Sequence, residues 1–538
     1  MSKVSTYLQS HIIGEVSVRS DVRDAFSTDS GVLQIEPEMV VYPRVTNDIR
    51  KVARFAWQLA EKGHPLGITT RGGGTDTTGA SLGKGLTLAL AAHMHEIFEY
   101  DIRQRLVRLQ PGVSTTALQQ ALRLQNTTIP VLRGSHGSGT IGGVIASAVG
   151  GMYATGGSVL DAIDQLEVVL ANGDVLQTER ISKRELNRRK GKEGFEGDLY
   201  RGIDGLIDEY AEVIAKIPSG DYVGYSAIAD VRRKDGSFDL APLLIGSQGT
   251  LGIISEMILK AQPIPEHRST VVMTFENREL ARDAIDELQR LDPKVLEYID
   301  GSFYNQAIRM GKSYAFYGAE VRKNAVVLVV GFEADSERVI KKALKRLHKT
   351  FGGHESVSCT VFDAKQSAEV ESILDVVRYV SAPEHEDVAA SALYAGFGVP
   401  LSHLETFRQG LDALATKEHV ELPFAGHVAT GIYGVYPTLS LKKVGDKQKV
   451  LKLIEGLAQL IDSVDGTLIA EGGEGIVKSR AVRTRLDEKE RELYDAIRKV
   501  FDPHGTLNPG VKQDVDLKTL AGYLRSQSTV GEHARFGL

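Results

Sequence analysis

Two glycine-rich loops in the first third of the sequence contain residues suited to binding a diphosphate. The first spans residues 71–80 (RGGGTDTTGA) and the second spans residues 134–143 (GSHGSGTIGG). Because glycine has no Cβ atom, such a loop can turn sharply and present its backbone N–H groups to an anion. Arg71 adds positive charge to the first loop, and its threonines add hydroxyl donors. Together the loops predict a diphosphate-binding site formed between them.

The second loop also contains a G-x-G-x-x-G string at residues 137–142, and Asp161 follows about twenty residues later. This spacing is typical of a Rossmann dinucleotide site. However, the strand pattern before the loop is poor, and the helix predicted at residues 144–149 is too short for a βαβ crossover. The Rossmann fold is therefore the weaker interpretation.

Short strands and helices surround the two loops. Helical spacing is clear at residues 45–62, and a strand at residues 65–70 leads into the first loop. After Pro265 the predicted order is β-α-β-β-α-β, the ferredoxin-like arrangement, and a second α/β set follows it. The sequence therefore predicts an α+β protein. Its 538 residues are more than a single hydrophobic core normally supports, which indicates more than one domain.

The composition argues against several classes of function. The formal net charge of −6 disfavours nucleic acid as a partner. Cys359 is the only cysteine, so the chain can form no internal disulfide and cannot by itself hold a thiolate zinc or iron–sulfur site. Residues 1–20 lack the apolar core of a signal peptide, and no apolar stretch is long enough for a transmembrane segment. We expect a cytoplasmic protein, with peripheral attachment to a membrane as an alternative.

Four strings occur in order along the chain: residues 71–75 (RGGGT), 139–143 (GTIGG), 246–253 (GSQGTLGI) and 501–510 (FDPHGTLNPG). In this order they resemble the vanillyl-alcohol oxidase superfamily, and the similarity is strongest to its glycolate oxidase and D-lactate dehydrogenase branch. The similarity covers residues from about 20 to 512. It implies an α+β fold, with a PCMH-type FAD-binding domain of two subdomains and an α/β ferredoxin-like cap of the FAD-linked oxidase C-terminal type.

The resemblance also implies a division of the chain. The segments are residues 1–34 as a lead-in, 35–265 as the FAD-binding domain, 266–480 as the substrate cap, 481–514 as a segment returning to the FAD domain, and 515–538 as a tail. Within the FAD domain, residues 179–192 are dense in lysine and arginine. We interpret them as a solvated basic insertion, with a docking patch for an anionic surface or an electron-accepting partner as the alternative.

The cofactor implied by the resemblance is FAD, held along the glycine loops. The residues expected to bind it are Arg71, Gly72, Gly73, Gly74, Thr75, Thr78, Gly79, Ser135, Gly139, Thr140, Gly143, Ser147, Gly249, Gly252, Ile253 and Asn508. Asn508 is expected near the isoalloxazine ring. Some relatives attach FAD covalently through a histidine at the position that Thr75 occupies here, so we expect non-covalent FAD.

On the substrate side the chain keeps only half of the pattern typical of the 2-hydroxyacid branch. That branch has two metal-binding histidines, of which His427 matches the first while Gly434 takes the place of the second. Glu471 matches a glutamate ligand of the metal, and Gly472 takes the place of a catalytic histidine. One imidazole and one carboxylate make a poor zinc site, so no metal is expected.

Two interpretations of His427 and Glu471 stay open. They are either remnants of the fold at the interface between cap and flavin, or catalytic groups with a new role. In the second case, His427 has a pKa near neutrality and acts as a base that Glu471 or Glu474 orients. Tyr433 and Tyr436 are further groups able to take a proton.

The resemblance implies an FAD-dependent oxidoreductase that transfers a hydride from an alcohol to the flavin N5, the alcohol being a 2-hydroxyacid or sugar acid. Arg378 is similar to the arginine that binds the substrate carboxylate, although a helix-surface arginine is an equal alternative.

Besides the small-molecule substrate, the expected partner is an electron acceptor, namely oxygen, a quinone or a redox protein, and a homodimer is one assembly open to the chain. The alternatives are a flavin-binding subunit of a larger redox complex with little activity of its own, and a non-redox flavoenzyme of the alkylglycerone-phosphate synthase kind.

Overall fold

The computed structural model describes residues 3–133, 139–152, 157–218, 220–317, 324–352, 357–363, 366–381, 389–390 and 392–525. Helices and strands mix throughout these ranges, so the predicted α+β class is confirmed. Of the helices in these ranges, none has the length and apolar character needed to cross a bilayer.

The elements alternate along the whole chain. The strands are β1 (Glu15–Ser17), β2 (Met39–Tyr42), β3 (Ile68–Arg71), β4 (Leu86–Ala89), β5 (Ile97–Asp101), β6 (Leu106–Leu109), β7 (Thr127–Thr128), β8 (Ile163–Val169), β9 (Val175–Gln177), β10 (Ile253–Lys260), β11 (Gln262–Pro263), β12 (His267–Phe275), β13 (Val295–Asp300), β14 (Val326–Ala334), β15 (Val357–Phe362), β16 (Ala389–Ala390), β17 (Tyr394–Gly398), β18 (Phe424–His427), β19 (Ile432–Val435) and β20 (Thr438–Leu439). The α-helices are α1 (Lys3–His11), α2 (Ser20–Ala25), α3 (Thr46–Glu61), α4 (Thr115–Arg123), α5 (Ile141–Ala146), α6 (Val159–Ala162), α7 (Lys183–Lys190), α8 (Phe195–Glu209), α9 (Ala211–Ile214), α10 (Ala241–Leu244), α11 (Arg278–Gln289), α12 (Gly301–Arg309), α13 (Glu337–Phe351), α14 (Ser367–Leu374), α15 (Val376–Ser381), α16 (Leu404–Glu418), α17 (Val444–Asp462), α18 (Ser479–Arg483), α19 (Glu488–Phe501) and α20 (Leu517–Tyr523).

Two sheets form the first half of the molecule. The first has the order β1-β2-β4-β3, in which β4 pairs in parallel with β2 and β3. All of β4 is buried, and α3 packs Ile49, Val52 and Ala56 into the same core because these residues repeat at helical spacing. The second sheet, β5-β6-β10-β8-β9, is antiparallel throughout. The first glycine loop starts where β3 ends, at Arg71.

The second half of the molecule is built on a seven-stranded sheet of order β15-β12-β14-β13-β18-β19-β17. Its first four strands, with α11 and α13 as connections, have the antiparallel order of a ferredoxin-like unit, which confirms the predicted arrangement. Strands β18, β19 and β17 then extend the sheet by antiparallel pairing. This extension places His427, at the end of β18, so that it faces the glycine loops across a cavity.

The C-terminal segment returns to the first half of the chain. The Ile68 N–H donates to the Thr506 carbonyl at 2.8 Å, and the Asn508 N–H donates back to the Ile68 carbonyl at 2.8 Å. In addition, α19 packs on α8, and the Arg525 N–H donates to the Val32 carbonyl at 3.1 Å. Residues 506–508 of the C-terminal segment therefore stabilise the strand that leads into the first glycine loop.

Residues 179–192, interpreted above as a solvated insertion, include the helix α7. Ser182 caps it by accepting a hydrogen bond from the Glu185 N–H at 3.3 Å, and Leu186 anchors it in the core. Arg189 pairs with Glu179, and Lys190 pairs with Asp204 at 2.6 Å. Acidic neighbours therefore balance several of its cations.

A buried ion pair joins α16 to the cap sheet and allows a test of what holds the cap together. Arg408 is 5% exposed and donates to both oxygens of Asp300 at 3.1 and 3.2 Å, and it lies over the ring of Phe424 at 4.6 Å. Asp300→Ala leaves a buried, unpaired guanidinium, so we expect the free energy of unfolding to fall by about 3–5 kcal/mol. Urea denaturation followed by circular dichroism measures the change.

The matched control is Arg278→Ala, which breaks a more exposed ion pair from α11 to Asp412 on the same helix α16. Exposed pairs contribute at most about 1 kcal/mol, so this variant should remain close to the wild type. Equal losses of stability in the two variants would contradict the assignment of the Asp300–Arg408 pair as the anchor of α16.

Candidate functional site

A cavity of about 2480 Å³ lies between the glycine loops and the cap sheet. Small-molecule pockets usually have about 300–1,000 Å³, so this space is large enough for a dinucleotide together with a substrate. It brings most of the predicted residues together. Those lining it are Arg71, Gly72, Gly73, Gly74, Thr75, Thr78, Gly139, Thr140, Gly143, Ser147, Gly249, Gly252, Arg378, His427 and Glu471. Ser135 lies outside the described residues.

The first loop is closed by its own aspartate. The Asp76 carboxylate accepts hydrogen bonds from the N–H groups of Thr78 and Ala80, at 3.1 and 2.8 Å, and from the Thr78 hydroxyl at 2.9 Å. The Thr78 hydroxyl, expected to donate to a phosphate, therefore donates within the loop. Gly74 has φ +70°, a conformation that L side chains rarely adopt.

The two glycine loops touch each other, and residues 246–253 touch the end of β3. A Cβ atom on Gly72 would lie 2.1 Å from the Thr140 Oγ1, and one on Gly249 would lie 2.8 Å from the Thr70 Oγ1. Thr140 in turn caps α5 by accepting from the Gly143 N–H at 3.3 Å. Glycine is favoured at these positions because a Cβ atom would clash with the neighbouring threonine side chains.

Arg71 provides the test of whether this wall suits an anionic cofactor. Its guanidinium is buried in the cavity wall over the ring of Phe26, and its Nη1 atom has no hydrogen-bond partner among the residues described. Burial lowers the pKa of Arg71, while Asp29 and Asp76 act to raise it. A buried donor without a partner is costly, so the diphosphate of FAD fits here by supplying the missing acceptor.

Arg525 is a cavity residue that sequence reasoning missed. It is 4% exposed, and it donates to the carbonyls of Leu33, at 3.2 Å, and Asp29. Its Nη2 atom lies 4.0 Å from the Asp29 carboxylate. Since the contact joins opposite ends of the chain, no local sequence pattern could have revealed it.

Four residues predicted for the site do not line the cavity. Gly79 donates its N–H to Asp29 at 3.1 Å and packs against Leu33, and Ile253 is buried in the core of the first sheet. Asn508 uses its side-chain amide to bind the carbonyls of Ala80 and Gln248, at 2.8 and 2.7 Å. Its side chain is therefore occupied in joining loops.

Glu474, predicted to orient His427, instead forms a buried ion pair with Lys512 at 3.2 Å. The same carboxylate accepts the Gly224 N–H at 2.9 Å. Both side chains of the pair are at most 1% exposed. The role expected for Glu474 beside His427 is thus wrong, because its charge is used to neutralise a buried lysine.

The partner of His427 is Glu297, which lies opposite it in the antiparallel register of β13 and β18. The His427 Nδ1 is 2.7 Å from both carboxylate oxygens. Burial acts to lower the pKa of His427, but the Glu297 carboxylate outweighs it and raises the pKa to about 9. In contrast to the near-neutral pKa expected from the sequence, the contact with Glu297 favours the imidazolium form.

Glu471 and Arg378 complete the cap side of the cavity. The Glu471 Oε2 accepts the Gly150 N–H at 2.9 Å, and burial raises the pKa of Glu471 although His427 acts to lower it. Arg378 is 53% exposed and pairs with Asp375 one turn earlier, at 2.5 and 2.7 Å. The cavity thus holds a cation, a buried carboxylate with raised pKa and an arginine that solvent can reach.

These donors do not fit a zinc ion. His427 and Glu471 supply one imidazole and one carboxylate, whereas zinc takes three or more protein ligands. Across the part of the chain that the structure describes, no group of three or more histidine, cysteine, aspartate or glutamate residues is arranged to hold a metal.

Comparison with known proteins agrees with this architecture. Residues 37–179 match the family model of an FAD binding domain, and residues 264–511 match that of the FAD linked oxidases, C-terminal domain. The chain is 26% identical over 513 residues to D-2-hydroxyglutarate dehydrogenase of Pseudomonas putida, covering 92% of this chain and 50% of that protein. It is 25% identical over 485 residues to the glycolate oxidase subunit GlcD of Bacillus subtilis, covering 89% of each. The chain therefore spans about half the length of the first relative and most of the second.

Two solved structures share the fold at 14% identity. They are 4-ethylphenol oxidase from Gulosibacter chungangensis, with a TM-score of 0.70 and coverage of 96% of this chain and 98% of the other, and alkyldihydroxyacetonephosphate synthase, with a TM-score of 0.60 and coverage of 95% and 86%. The matched domains, the glycine-loop cavity and the unpaired Arg71 nitrogen agree on FAD as the cofactor. The chain belongs to the FAD-linked oxidase branch of the PCMH-type FAD-binding superfamily.

Proposed function

We propose that this protein is an FAD-dependent oxidoreductase that oxidises the hydroxyl-bearing carbon of a 2-hydroxyacid. The observation that carries the proposal is one continuous cavity, which joins the glycine loops to His427, Glu471 and Arg378. FAD, when bound, supplies the acceptor for the hydride. The names of the relatives, a D-2-hydroxyglutarate dehydrogenase and a glycolate oxidase subunit, support this substrate class.

The proton of the substrate hydroxyl goes to Glu471 in this proposal. The Glu297 carboxylate engages His427 through Nδ1 and favours its protonated form, so His427 is not the group that accepts the proton. Glu471 has one oxygen bound by the Gly150 N–H, and burial raises its pKa, which makes its carboxylate a stronger base than an exposed glutamate.

Arg378 is the group proposed to bind the substrate carboxylate. Its planar guanidinium can pair with a carboxylate through two parallel hydrogen bonds. At present it pairs in this way with Asp375 at the cavity wall. Because it is 53% exposed, it can exchange that partner for a substrate without uncovering a buried charge.

A second candidate function is that of a flavin-binding subunit whose own turnover is slow. It is favoured by the glycines at positions 434 and 472, where the branch has histidines, and by the relative that is itself called a subunit. In that case an additional protein would be needed for reduction of the flavin by substrate.

Anaerobic titration of the purified holoprotein distinguishes these functions. We expect glycolate, D-lactate or D-2-hydroxyglutarate to bleach the flavin absorption, and L-lactate, L-2-hydroxyglutarate and alcohols without a carboxylate to serve as controls. Dithionite reduction in the same cuvette shows that the flavin is competent. The proposed function would be contradicted if dithionite reduces the flavin but none of the hydroxyacids bleaches it. Bleaching that occurs only after addition of a co-purifying protein would favour the flavin-binding subunit.

Glu471→Gln tests the proton acceptor. The amide keeps the shape of the side chain but cannot accept the proton, so kcat should fall by a factor of about 10²–10⁴ with little change in KM. Stopped-flow reduction and steady-state assays measure both constants. Glu99→Gln, an exposed change on β5, is the matched control. A Glu471→Gln variant with wild-type kcat would remove Glu471 from the chemistry.

The affinity for FAD should depend on pH through Asp29. Burial and the neighbouring Asp76 carboxylate raise the pKa of Asp29 to about 7, although Arg525 and Arg71 act to lower it. A raised pKa means that the folded state prefers neutral Asp29. Its contribution to stability is therefore fully present below the unfolded value of about 4 and is lost as the pH rises through 7.

A bound diphosphate disfavours the ionised carboxylate further, so binding takes up a proton. We expect the affinity for FAD to fall by up to about tenfold per pH unit above pH 7, measured by the quenching of FAD fluorescence during reconstitution. Asp29→Asn should remove this slope. The same slope in the variant and the wild type would show that another group titrates.

A further inference from the structure

The ring of Tyr436 occupies the space beside Gly434, which takes the place of the second metal-binding histidine of the 2-hydroxyacid branch. A Cβ atom on Gly434 would lie 2.8 Å from the Tyr436 Oη and 2.9 and 3.0 Å from its Cε2 and Cζ atoms. The ring is held by edge-on packing against Phe303, with 5.5 Å between centroids, and the Tyr436 N–H donates to the Pro423 carbonyl at 3.0 Å. No side chain can therefore start at position 434 while Tyr436 stays in place.

The hydroxyl of Tyr436 has the properties of a hydrogen-bond donor to substrate. Tyr436 lines the same cavity as His427 and Glu471. Burial, with the nearby carboxylates of Glu471 and Glu297, raises the pKa of Tyr436 above its usual range, so the phenol keeps its proton. No bond from this hydroxyl to any other described residue is found, and its hydrogen is available to a ligand in the cavity.

The position of the missing catalytic histidine is also closed to a side chain, for a different reason. Gly472 has φ +76°, where residues with a Cβ atom are strained. Its backbone carbonyl accepts from the Gln248 side chain at 3.4 Å, which holds this turn in place. The turn therefore favours glycine at position 472. The local structure thus disfavours a histidine at both positions, 434 and 472.

We infer that this site works without a divalent cation, and that the Tyr436 hydroxyl instead donates a hydrogen bond to the oxygen of the substrate hydroxyl. The inference deepens the proposed function and rests on it. The C–H bond of the substrate breaks and its two electrons leave as hydride to the cofactor, the hydroxyl proton goes to Glu471, and the carbon–oxygen double bond forms. Tyr436 keeps its proton and stabilises the negative charge that develops on the oxygen.

Tyr436→Phe tests the donor in the holoprotein. The rate of anaerobic flavin reduction by the active hydroxyacid should fall about 100-fold, while FAD content and thermal stability stay unchanged. The matched control is Tyr314→Phe, because Tyr314 lies in the same core cluster, has a buried hydroxyl without a partner in the described part of the chain, and lies outside the cavity wall. Wild-type reduction rates in Tyr436→Phe would overturn the inference.

Zinc titration of the holoprotein by calorimetry tests the absence of a cation site without measuring activity. The wild type and the His427→Ala variant should bind the same amount of zinc, because His427 holds none. Chelation should leave flavin reduction unchanged. The double variant Gly434→His/Tyr436→Ala, which opens the space and restores the second imidazole, should gain one equivalent. Stoichiometric zinc bound through His427 in the wild type would overturn the inference. Failure of every hydroxyacid to bleach the flavin would contradict only the proposed function, and the zinc comparison would then decide the inference.

Discussion

The side chain of Gln248 lies buried where three segments that are far apart in the sequence meet. Its Nε2 donates to the Thr78 hydroxyl at 3.2 Å, and its Oε1 accepts the Gly475 N–H at 2.8 Å. Its backbone carbonyl accepts from the Asn508 amide at 2.7 Å. Because the side-chain amide carries both a donor and an acceptor, it joins the first glycine loop to the turn at residues 472–475, and the backbone carbonyl of the same residue joins the C-terminal segment. The shape of the cavity follows from this arrangement.

Close packing around Gln248 restricts the neighbouring residues. A Cβ atom on Gly473 would lie 2.2 Å from the Gln248 Cδ, and one on Gly475 would lie 2.2 Å from the Thr78 Oγ1. Glu474, in the same turn, pairs with the buried Lys512 of the C-terminal segment, and the pair neutralises two charges that would be costly alone. Conformation and electrostatics therefore both serve to hold the turn that places Glu471 in the cavity wall.

The sequence predicted the parts of this protein that depend on local patterns. The glycine loops and the ferredoxin-like order both follow from residue spacing within a few tens of residues. Residues whose role depends on long-range contacts were missed or misplaced: Glu297 meets His427 only through strand register, and Arg525 meets Asp29 across nearly the whole chain. Glu474 follows Glu471 by three residues and is therefore a candidate partner of His427 in the sequence, whereas the fold directs its carboxylate to Lys512. Spacing indicates which residues are candidates, and tertiary structure decides which of them face the cavity.

In the proposed reaction, the absence of a metal separates two tasks that a divalent cation would combine. A cation with open positions can anchor the substrate carboxylate and polarise its hydroxyl at once. Here the single charge of the His427 imidazolium is largely balanced by Glu297 at 2.7 Å, which leaves little attraction for an incoming carboxylate. Anchoring therefore depends on Arg378, which is on a different element and is accessible to solvent. Polarisation depends on the neutral hydroxyl of Tyr436, which can approach the oxygen without adding charge to a cavity wall that already contains Glu297 and Glu471.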